Sequence, residues 1–325
     1  MNQNYIYISP LGSLLKKYVE HRRMCGYKAD TSIHNVRQLD KFAAYSPLTS
    51  AHLSKELVEA YIASRPGEKK STQSQRVSTV RGFGKYLVRC GIDAYVLPYG
   101  TFSVAKYSFI PHVFNSKEIS RLFSAAESLP YCANSPIRNI VIPMMFRVIY
   151  GCGLRISEAL KLTVEDVNLQ TGIILVRATK FNKNRYVPMA QSLFDRCKEY
   201  ADRVVAEADA QSPFFPSPSL SFYSKSTIGY AFLQSLAIAG IPHFDDGPTV
   251  HSLRHSFAVE NLIRWDEEGK DVNLMLPYLS AYMGHENLLG TERYLRMTVD
   301  MLPEVKKRIS VGCSWIIPEV VRDDG

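Results

Sequence analysis

Six polar side chains that could together cleave a phosphodiester are spread over four segments of the 325-residue chain. They are Arg155, Lys180, His251, Arg254, His285 and Tyr294. A phosphodiester resists attack because its negative charge repels nucleophiles. Cleavage therefore needs cations that neutralise this charge, a nucleophile, and a proton for the leaving oxygen. Arginine suits the first task because its planar guanidinium binds two phosphate oxygens at once.

The first arginine follows two glycines in the segment GCGLRISE, at a predicted helix start. Backbone amides at a helix start favour an anion, so Arg155 is a candidate phosphate ligand. Glu158 lies about one turn further on and could hold the Arg155 guanidinium in place. The alternative is an ordinary surface ion pair between residues three apart on a helix.

The second arginine lies in the segment HSLRHSFA, where His251 and Arg254 share one face of a predicted helix. His255 lies four residues after His251, and this pair could ligate a metal ion. No third ligand has a matching spacing in the sequence. We therefore predict a phosphate-binding face here, and no metal site.

The lysine lies between two strand-like stretches, 172–177 and 185–188, which predict a β-hairpin. Lys180 in the turn is close in sequence to Lys183 and Arg185, two further cations that could contact a polyanion. A flexible lysine near a leaving oxygen can act as a general acid. The alternative is a basic turn that contacts only solvent.

The tyrosine lies nine residues after His285, in a predicted short helix TERYLRM. A free phenol has a pKa near 10, and two nearby arginines would favour the phenolate of Tyr294. The chain has 19 tyrosines, so a packed or surface role is the default for any one of them. Tyr278 and Tyr282 are the local alternatives, and their apolar spacing predicts packing.

The excess positive charge lies in the first third of the chain. Residues 1–111 contain 16 Lys and Arg against 7 Asp and Glu, whereas the remainder contains 23 against 24. This asymmetry favours a polyanionic partner, although a solvated basic surface is the alternative. Segment 1–97 predicts four helices, with Asp30 or Thr31 capping the second and Ser54 capping the third. In the fourth, we expect an outward basic face that can bind DNA phosphates, formed by Arg76, Arg81 and Lys85.

Composition indicates an ordinary globular chain, with 46% hydrophobic and 22% charged residues. Its length predicts two domains, joined by a proline-bounded linker at 98–111, with an apolar tail at 303–325. Six cysteines are scattered without metal-site or disulfide spacing, which predicts reduced thiols. No membrane span or signal peptide is evident.

The order of these motifs resembles the tyrosine recombinase (phage integrase) family. GLRISEAL and HSLRHSFA are similar to its two arginine boxes, RATKFNKNRYVPM to its hairpin lysine motif, and MGHENLLGTERY to its terminal box. The resemblance covers about 140 residues and extends more weakly to the N-terminal helices. It implies a mainly α fold with a small β-hairpin or sheet, built as a two-domain C-shaped clamp. The parts would be a helical core-binding domain at 1–97 and an α+β catalytic domain at 112–302.

The resemblance also implies roles. Tyr294 would attack the scissile phosphate and form a 3′-phosphotyrosine, while Arg155 and Arg254 hold the non-bridging oxygens. His251 would contact the phosphate and could accept the tyrosine proton, and Lys180 would protonate the 5′ oxygen. His285 would add a hydrogen bond, and Glu158 would position the site.

No metal, ATP or other cofactor is implied, because the phosphotyrosine conserves the energy of the broken bond. The implied partners are double-stranded recombination sites and further copies of the chain, as a dimer on each site and a tetramer in the synapse. The tail could dock on a neighbouring protomer. The implied location is the bacterial cytoplasm, at the nucleoid.

Two departures from the family pattern stand out. Thr179 and Phe181 flank the hairpin lysine where glycines are common, so Lys183 is the alternative general acid. The stretch between the second arginine box and His285 is long, which suggests a loop insertion. The competing functions are a type IB topoisomerase-like relaxing enzyme and a catalytically silent DNA-binding accessory factor.

Overall fold

Helices dominate the chain and are grouped into two units, Met1–Ser108 and Phe109–Gly325. The division falls within the predicted linker. The computed structural model describes residues 5–26, 29–47, 50–102, 111–177, 184–244, 247–285, 290–291 and 294–295. The predicted general acids Lys180 and Lys183 and the predicted tail 303–325 lie outside the described residues, so those predictions remain predictions.

The first unit contains the four predicted helices. They are α1 (Gly12–Met24), α2 (Ala29–Tyr45), α3 (Lys55–Ile62) and α4 (Lys70–Arg89). The Ser54 side chain accepts a hydrogen bond from the backbone N–H of Leu57 at 3.2 Å, so the predicted cap of α3 is confirmed. The predicted cap of α2 at Asp30 or Thr31 is wrong, because the helix already begins at Ala29.

Helix α4 packs against the other helices of the first unit through a buried apolar stripe. Val77, Val80, Phe83 and Leu87 are all at most 3% exposed. Burying these side chains contributes on the order of 1.5–3 kcal/mol each to the stability of the unit. The stripe fixes which residues of α4 face outward.

Arg76 belongs to the buried side of α4, which contradicts its predicted place on a DNA-binding face. Its side chain is 6% exposed and forms an ion pair with Glu68. It also donates to the backbone carbonyls of Tyr61 and Ala63, at the C-terminal end of α3. Because its guanidinium is bound inside the unit, Arg76 holds the α3–α4 connection together and is not free to bind phosphate.

Arg81 and Lys85 lie at the half-exposed side of the same helix. Arg81 donates to the carbonyls of Leu97 and Pro98, both at 3.0 Å. The Lys85 ammonium lies 2.6 Å from the hydroxyl of Tyr99, whose ring is 78% exposed. These two cations therefore lie at the surface, where a role in DNA binding remains a prediction.

The second unit is also mainly helical. Its helices are α5 (Ser116–Glu127), α6 (Arg138–Gly151), α7 (Ile156–Ala159), α8 (Gln191–Val204), α9 (Lys225–Ile238), α10 (Val250–Glu267) and α11 (Val272–Met283). Helix α5 begins with a capping box between Asn115 and Glu118, and α6 is largely buried in the core. In the described part of the chain, no helix is long and apolar enough to cross a membrane.

The predicted hairpin is part of a small antiparallel sheet. Strands β2 (Ile173–Val176) and β3 (Arg185–Pro188) pair with Ile174 opposite Val187 and Val176 opposite Arg185. A two-residue strand β1 (Val167–Asn168), which the sequence does not signal, pairs with β2 on its other side. Ile174, Val176 and Val187 are buried in the core. Because Arg185 is paired with Val176, the last residue of β2, it lies at the turn end of the hairpin.

The long stretch before His285 is not a loop insertion. It forms the end of α10 and then α11, joined by a short turn at Gly269. Helix α11 ends at Gly284, whose φ of 66° lies in the left-handed region that glycine tolerates best. The chain then turns directly into His285.

Candidate active site

Arg155 is positioned by its place before α7. It is the residue that caps this helix, and its backbone N–H donates to Glu158 at 2.9 Å. The Arg155 guanidinium donates through Nη1 to Oε1 of Glu158 at 2.7 Å, and through Nη2 to the carbonyl of Gly284 at 2.7 Å. The Glu158 side chain is only 8% exposed. The predicted support of Arg155 by Glu158 is present, and it is not a surface ion pair.

Arg185 binds the same carboxylate from β3. Its Nη1 and Nη2 donate to the two carboxylate oxygens of Glu158 at 3.0 and 2.8 Å. Its Nε donates to the carbonyl of Tyr282 at 2.8 Å, and the side chain is 11% exposed. The structure thus contradicts the predicted DNA-contacting role of Arg185, because all three guanidinium nitrogens are bound inside the protein.

Arg254 is almost fully enclosed, with 1% of its surface exposed. It donates to the carbonyl of Gly153 at 2.5 Å and to that of Met283 at 2.8 Å. Burial and, to a smaller extent, the positive charge of Arg155 outweigh the attraction of Tyr294 and lower the pKa of Arg254 to about 10. Arg254 therefore keeps its charge near neutral pH.

The C-terminal end of α11 is held by three different arginines. The consecutive carbonyl oxygens of Tyr282, Met283 and Gly284 accept hydrogen bonds from Arg185, Arg254 and Arg155 respectively. The carbonyl end of a helix carries partial negative charge, which offsets the repulsion between clustered cations. This arrangement fixes the arginines relative to each other and to His285, the next residue.

His285 follows directly, and its Nδ1 lies 2.7 Å from the Thr291 hydroxyl. Burial, together with the charges of Arg254, Arg155 and Arg185, lowers the pKa of His285 to about 3. The imidazole is therefore neutral at physiological pH. Its ring lies over the ring of Tyr294 at a centroid distance of 5.8 Å and an angle of 14°.

Tyr294 is enclosed by the same cluster and is 3% exposed. Its hydroxyl lies 3.1 Å from Nδ1 of His255. The sequence suggested only a metal-ligand role for His255. Its spacing of four residues from His251, on one face of α10, also indicates that His255 belongs to the site.

The structure brings Arg155, Glu158, His251, Arg254, His285 and Tyr294 together in the second unit. His251 is exposed, and its ring meets that of His255 edge-on at 4.6 Å. Within the described ranges, no three His, Cys, Asp or Glu side chains are grouped so that they could hold a metal ion. Chemically, the arrangement presents two charged guanidinium groups, neutral His285 and a phenol whose hydroxyl contacts an imidazole.

Comparison with known proteins identifies the family of the chain. Residues 112–300 match the model of the phage integrase family. The chain is 29% identical over 314 residues to a putative integrase/recombinase, y4rB, of Sinorhizobium fredii, covering 93% of this chain and 98% of that protein. It is 28% identical over 276 residues to the tyrosine recombinase XerC of Halalkalibacterium halodurans, covering 83% of each.

A similar fold occurs in the Tn1549 transposon integrase, whose structure was solved in complex with transposon right end DNA. The TM-score is 0.66 at 14% identity, and the match covers 93% of this chain and 99% of that one. A mainly helical fold with a small antiparallel sheet is thus shared with this integrase. The chain belongs to the phage integrase family, that is, to the tyrosine recombinases.

Proposed function

We propose that this chain is a site-specific recombinase that cuts and rejoins DNA strands through a covalent 3′-phosphotyrosine at Tyr294. The observation that carries the proposal is the position of this tyrosine. Tyr294 is buried in one cluster with Arg254 and His285, next to Arg155. A buried phenol beside two guanidinium groups suits attack on a phosphodiester, because the cations stabilise both the phenolate and the developing charge on phosphorus.

In the proposed step, the Tyr294 oxygen forms a bond to phosphorus and the bond to the 5′ oxygen breaks. Arg155 and Arg254 neutralise the non-bridging oxygens, and His285, neutral at physiological pH, donates a hydrogen bond to one of them. His251, at the exposed side of α10, contacts the phosphate. Lys180 protonates the 5′ oxygen, with Lys183 as the alternative.

Glu158 supports the step without contacting phosphate. It holds Arg155 and Arg185 through four hydrogen bonds, including one from the Arg155 backbone. A fixed guanidinium loses less freedom when phosphate binds, so the preorganised arginines lower the barrier. The reaction needs no metal or ATP in this proposal, because rejoining reverses cleavage.

The proposed partner is a double-stranded recombination site. The excess charge of residues 1–111 and the surface cations Arg81 and Lys85 support a DNA-gripping role for the first unit. The relative solved with transposon end DNA supports a duplex substrate for the second. We further propose a dimer on each site, a tetramer in the synapse, and action in the bacterial cytoplasm on integration, excision or resolution of DNA elements.

A trapping experiment tests the function. The purified chain is incubated in EDTA with nicked duplexes of randomised sequence, in which the short cleaved strand diffuses away and leaves protein attached. Adducts that resist detergent are isolated and sequenced, and the enriched sequence becomes the substrate for later tests. We expect adducts for the native chain and none for Tyr294→Phe.

Tyr278→Phe is the matched control, because this tyrosine is 69% exposed on α11. Its adducts should equal those of the native chain. Adducts that persist in Tyr294→Phe would refute the assignment of the nucleophile. Relaxation of plasmids that lack the enriched sequence would favour a topoisomerase-like enzyme, and binding without any adduct would favour an accessory factor.

A further inference from the structure

The hydroxyl of Tyr294 is held by a group that the functional assignment above does not use. It lies 3.1 Å from Nδ1 of His255, with ring centroids 5.4 Å apart. Both side chains are buried, at 3% and 8% exposure, so bulk water has little access to the pair. A phenol becomes an effective nucleophile as it loses its proton, and a base in hydrogen-bond contact is the group that can take it.

We propose that His255 is the general base that accepts the Tyr294 proton during DNA cleavage. The proposal rests on the proposed function. As the phenol oxygen forms its bond to phosphorus, its proton passes to Nδ1 of His255 and produces an imidazolium. The bond to the 5′ oxygen breaks, and that oxygen takes a proton from a separate acid. In rejoining, His255 returns its proton to the phenol.

The neighbouring groups favour His255 over the other two histidines. His285 lies over the Tyr294 ring, and its Nδ1 is engaged by Thr291. The observed hydrogen bond at the Tyr294 hydroxyl goes to His255, whereas the resemblance pointed to His251 as the acceptor.

The exposed His251 has a different place in the same step. Its ring meets His255 edge-on at 4.6 Å on the same helix. The two rings are therefore adjacent on α10, so His251 can stabilise the imidazolium that forms on His255 during cleavage. Arg254 interacts electrostatically with Tyr294, and its positive charge favours the phenolate of this tyrosine.

The test uses the full chain and the nicked duplex identified by trapping. Single-turnover adduct formation is measured from pH 5 to 9 for the native chain and for His255→Asn. We expect a decrease of roughly 10²–10⁴-fold, the usual contribution of general base catalysis, with unchanged duplex affinity. In the native chain the rate should rise with pH as His255 loses its proton, and this rise should be absent in His255→Asn. His243→Asn, an exposed histidine in the loop before α10, is the matched control.

A second measurement separates a chemical from a structural role. Tyr294 is replaced by a fluorinated tyrosine, whose phenol has a lower pKa and needs less help from a base. If His255 is the base, this replacement should restore much of the rate lost in His255→Asn. A variant damaged only in packing would not respond.

The outcomes separate this proposal from the proposed function. If the native chain forms no Tyr294-dependent adduct, the recombinase function itself fails. If it forms adducts and His255→Asn is as fast or faster, the function stands and His255 is not the base. A faster rate in His255→Asn would show that the hydrogen bond to His255 holds the Tyr294 hydroxyl in an inactive position when DNA is absent.

Discussion

Arg185 binds both carboxylate oxygens of Glu158, at 3.0 and 2.8 Å, across 27 residues of sequence. The same carboxylate holds Arg155, and Arg185 also reaches the end of α11 through the Tyr282 carbonyl. One carboxylate therefore links the start of α7, the last strand of the sheet and the helix end that leads to His285. Arg185 is a positioning residue, since it acts through Glu158 and not on phosphate.

We predict that Arg185→Lys slows adduct formation while duplex binding is retained. Lysine cannot make the bidentate contact, so Glu158 and the carbonyl of Tyr282 would lose partners. We expect a decrease of roughly 10–100-fold in the single-turnover rate, of the size seen when groups that orient a site are removed. The salt dependence of binding should not change, in contrast to a residue that contacts phosphate.

The matched control for this prediction is Arg177→Lys. Arg177 follows β2, and its half-exposed side chain pairs with Glu165 at 2.7 Å and with the buried carboxylate of Asp166. Lysine keeps a positive charge beside both carboxylates, and these contacts do not involve Glu158, so this variant should cleave DNA like the native chain. Equal losses in both variants would indicate general damage to the hairpin.

Acid should weaken the site through Glu158. Burial alone would raise the pKa of this carboxyl, but the hydrogen bonds and charges of Arg185 and Arg155 outweigh burial and lower it to about 2. A carboxyl whose pKa is lowered in the folded state stabilises the protein at pH values above its ordinary pKa of 4.5. That contribution, on the order of 3 kcal/mol, is lost as pH falls from about 5 to 2.

Chemical denaturation across this pH range tests the prediction. The difference in the free energy of unfolding between the native chain and Glu158→Gln should be largest above pH 5 and should shrink steadily on acidification. A difference that is independent of pH would show that the charge of Glu158 does not contribute to stability.

The sequence suffices for much of this site, because its chemistry is concentrated in short motifs. Arg155 with Glu158, His251 with Arg254, and His285 before Tyr294 are all recognisable by local spacing, and the structure brings them together. Local spacing also indicates that Arg76 is buried, contrary to the prediction of an outward position. Positions 76, 80, 83 and 87 follow helical periodicity, which places Arg76 on the same stripe as the buried apolar residues.

Other features depend on contacts between distant segments, which periodicity cannot reveal. The partners of Arg185 lie 27 and 97 residues away, and those of Arg254 lie 101 and 29 residues away. The hydrogen bond between His255 and Tyr294 spans 39 residues. Strand β1 has two residues and exists only because β2 pairs with it.

We predict that Arg155→Lys reduces cleavage by roughly 10²–10³-fold, the cost of removing one charge-stabilising donor in an active site. Arg155 donates in two directions, to Glu158 and to the carbonyl of Gly284, and a single ammonium cannot reproduce this planar geometry. Adduct formation and duplex affinity are measured on the same preparation. Parallel loss of both would show that Arg155 serves in binding alone.

Replacing Arg81 and Lys85 together with glutamine should flatten the salt dependence of duplex binding. Each phosphate contact contributes about 0.9 to the slope of log affinity against log salt, so removing two should reduce it by about 1.8. The measurement is a titration with duplex from 50 to 200 mM salt. An unchanged slope would exclude this face of α4 from the DNA interface.

Replacing Arg76 should lower stability without changing the salt dependence of duplex binding. Arg76→Ala leaves Glu68 unpaired in a site where both side chains are at most 10% exposed. Breaking a buried pair costs about 3–5 kcal/mol, so this variant should lose stability. At temperatures where it stays folded, its salt slope should match that of the native chain.

Gly284 offers the sharpest test of the link between helix α11 and the arginines. A Cβ at this position would lie 2.7 Å from Nη1 of Arg185, and the residue has a φ of +66°. Gly284→Ala should therefore combine left-handed strain of about 1–2 kcal/mol with displacement of Arg185 and of the turn to His285. Gly240→Ala, after α9, has a φ of +63° and no atom within 4 Å of the added Cβ, so it reports the strain alone.

We expect both variants to lose similar stability from strain. Only Gly284→Ala should lose adduct formation, by at least about 10-fold, because the positions of Arg185 and His285 change. Equal activity in the two variants would show that cleavage tolerates movement of Arg185 and His285.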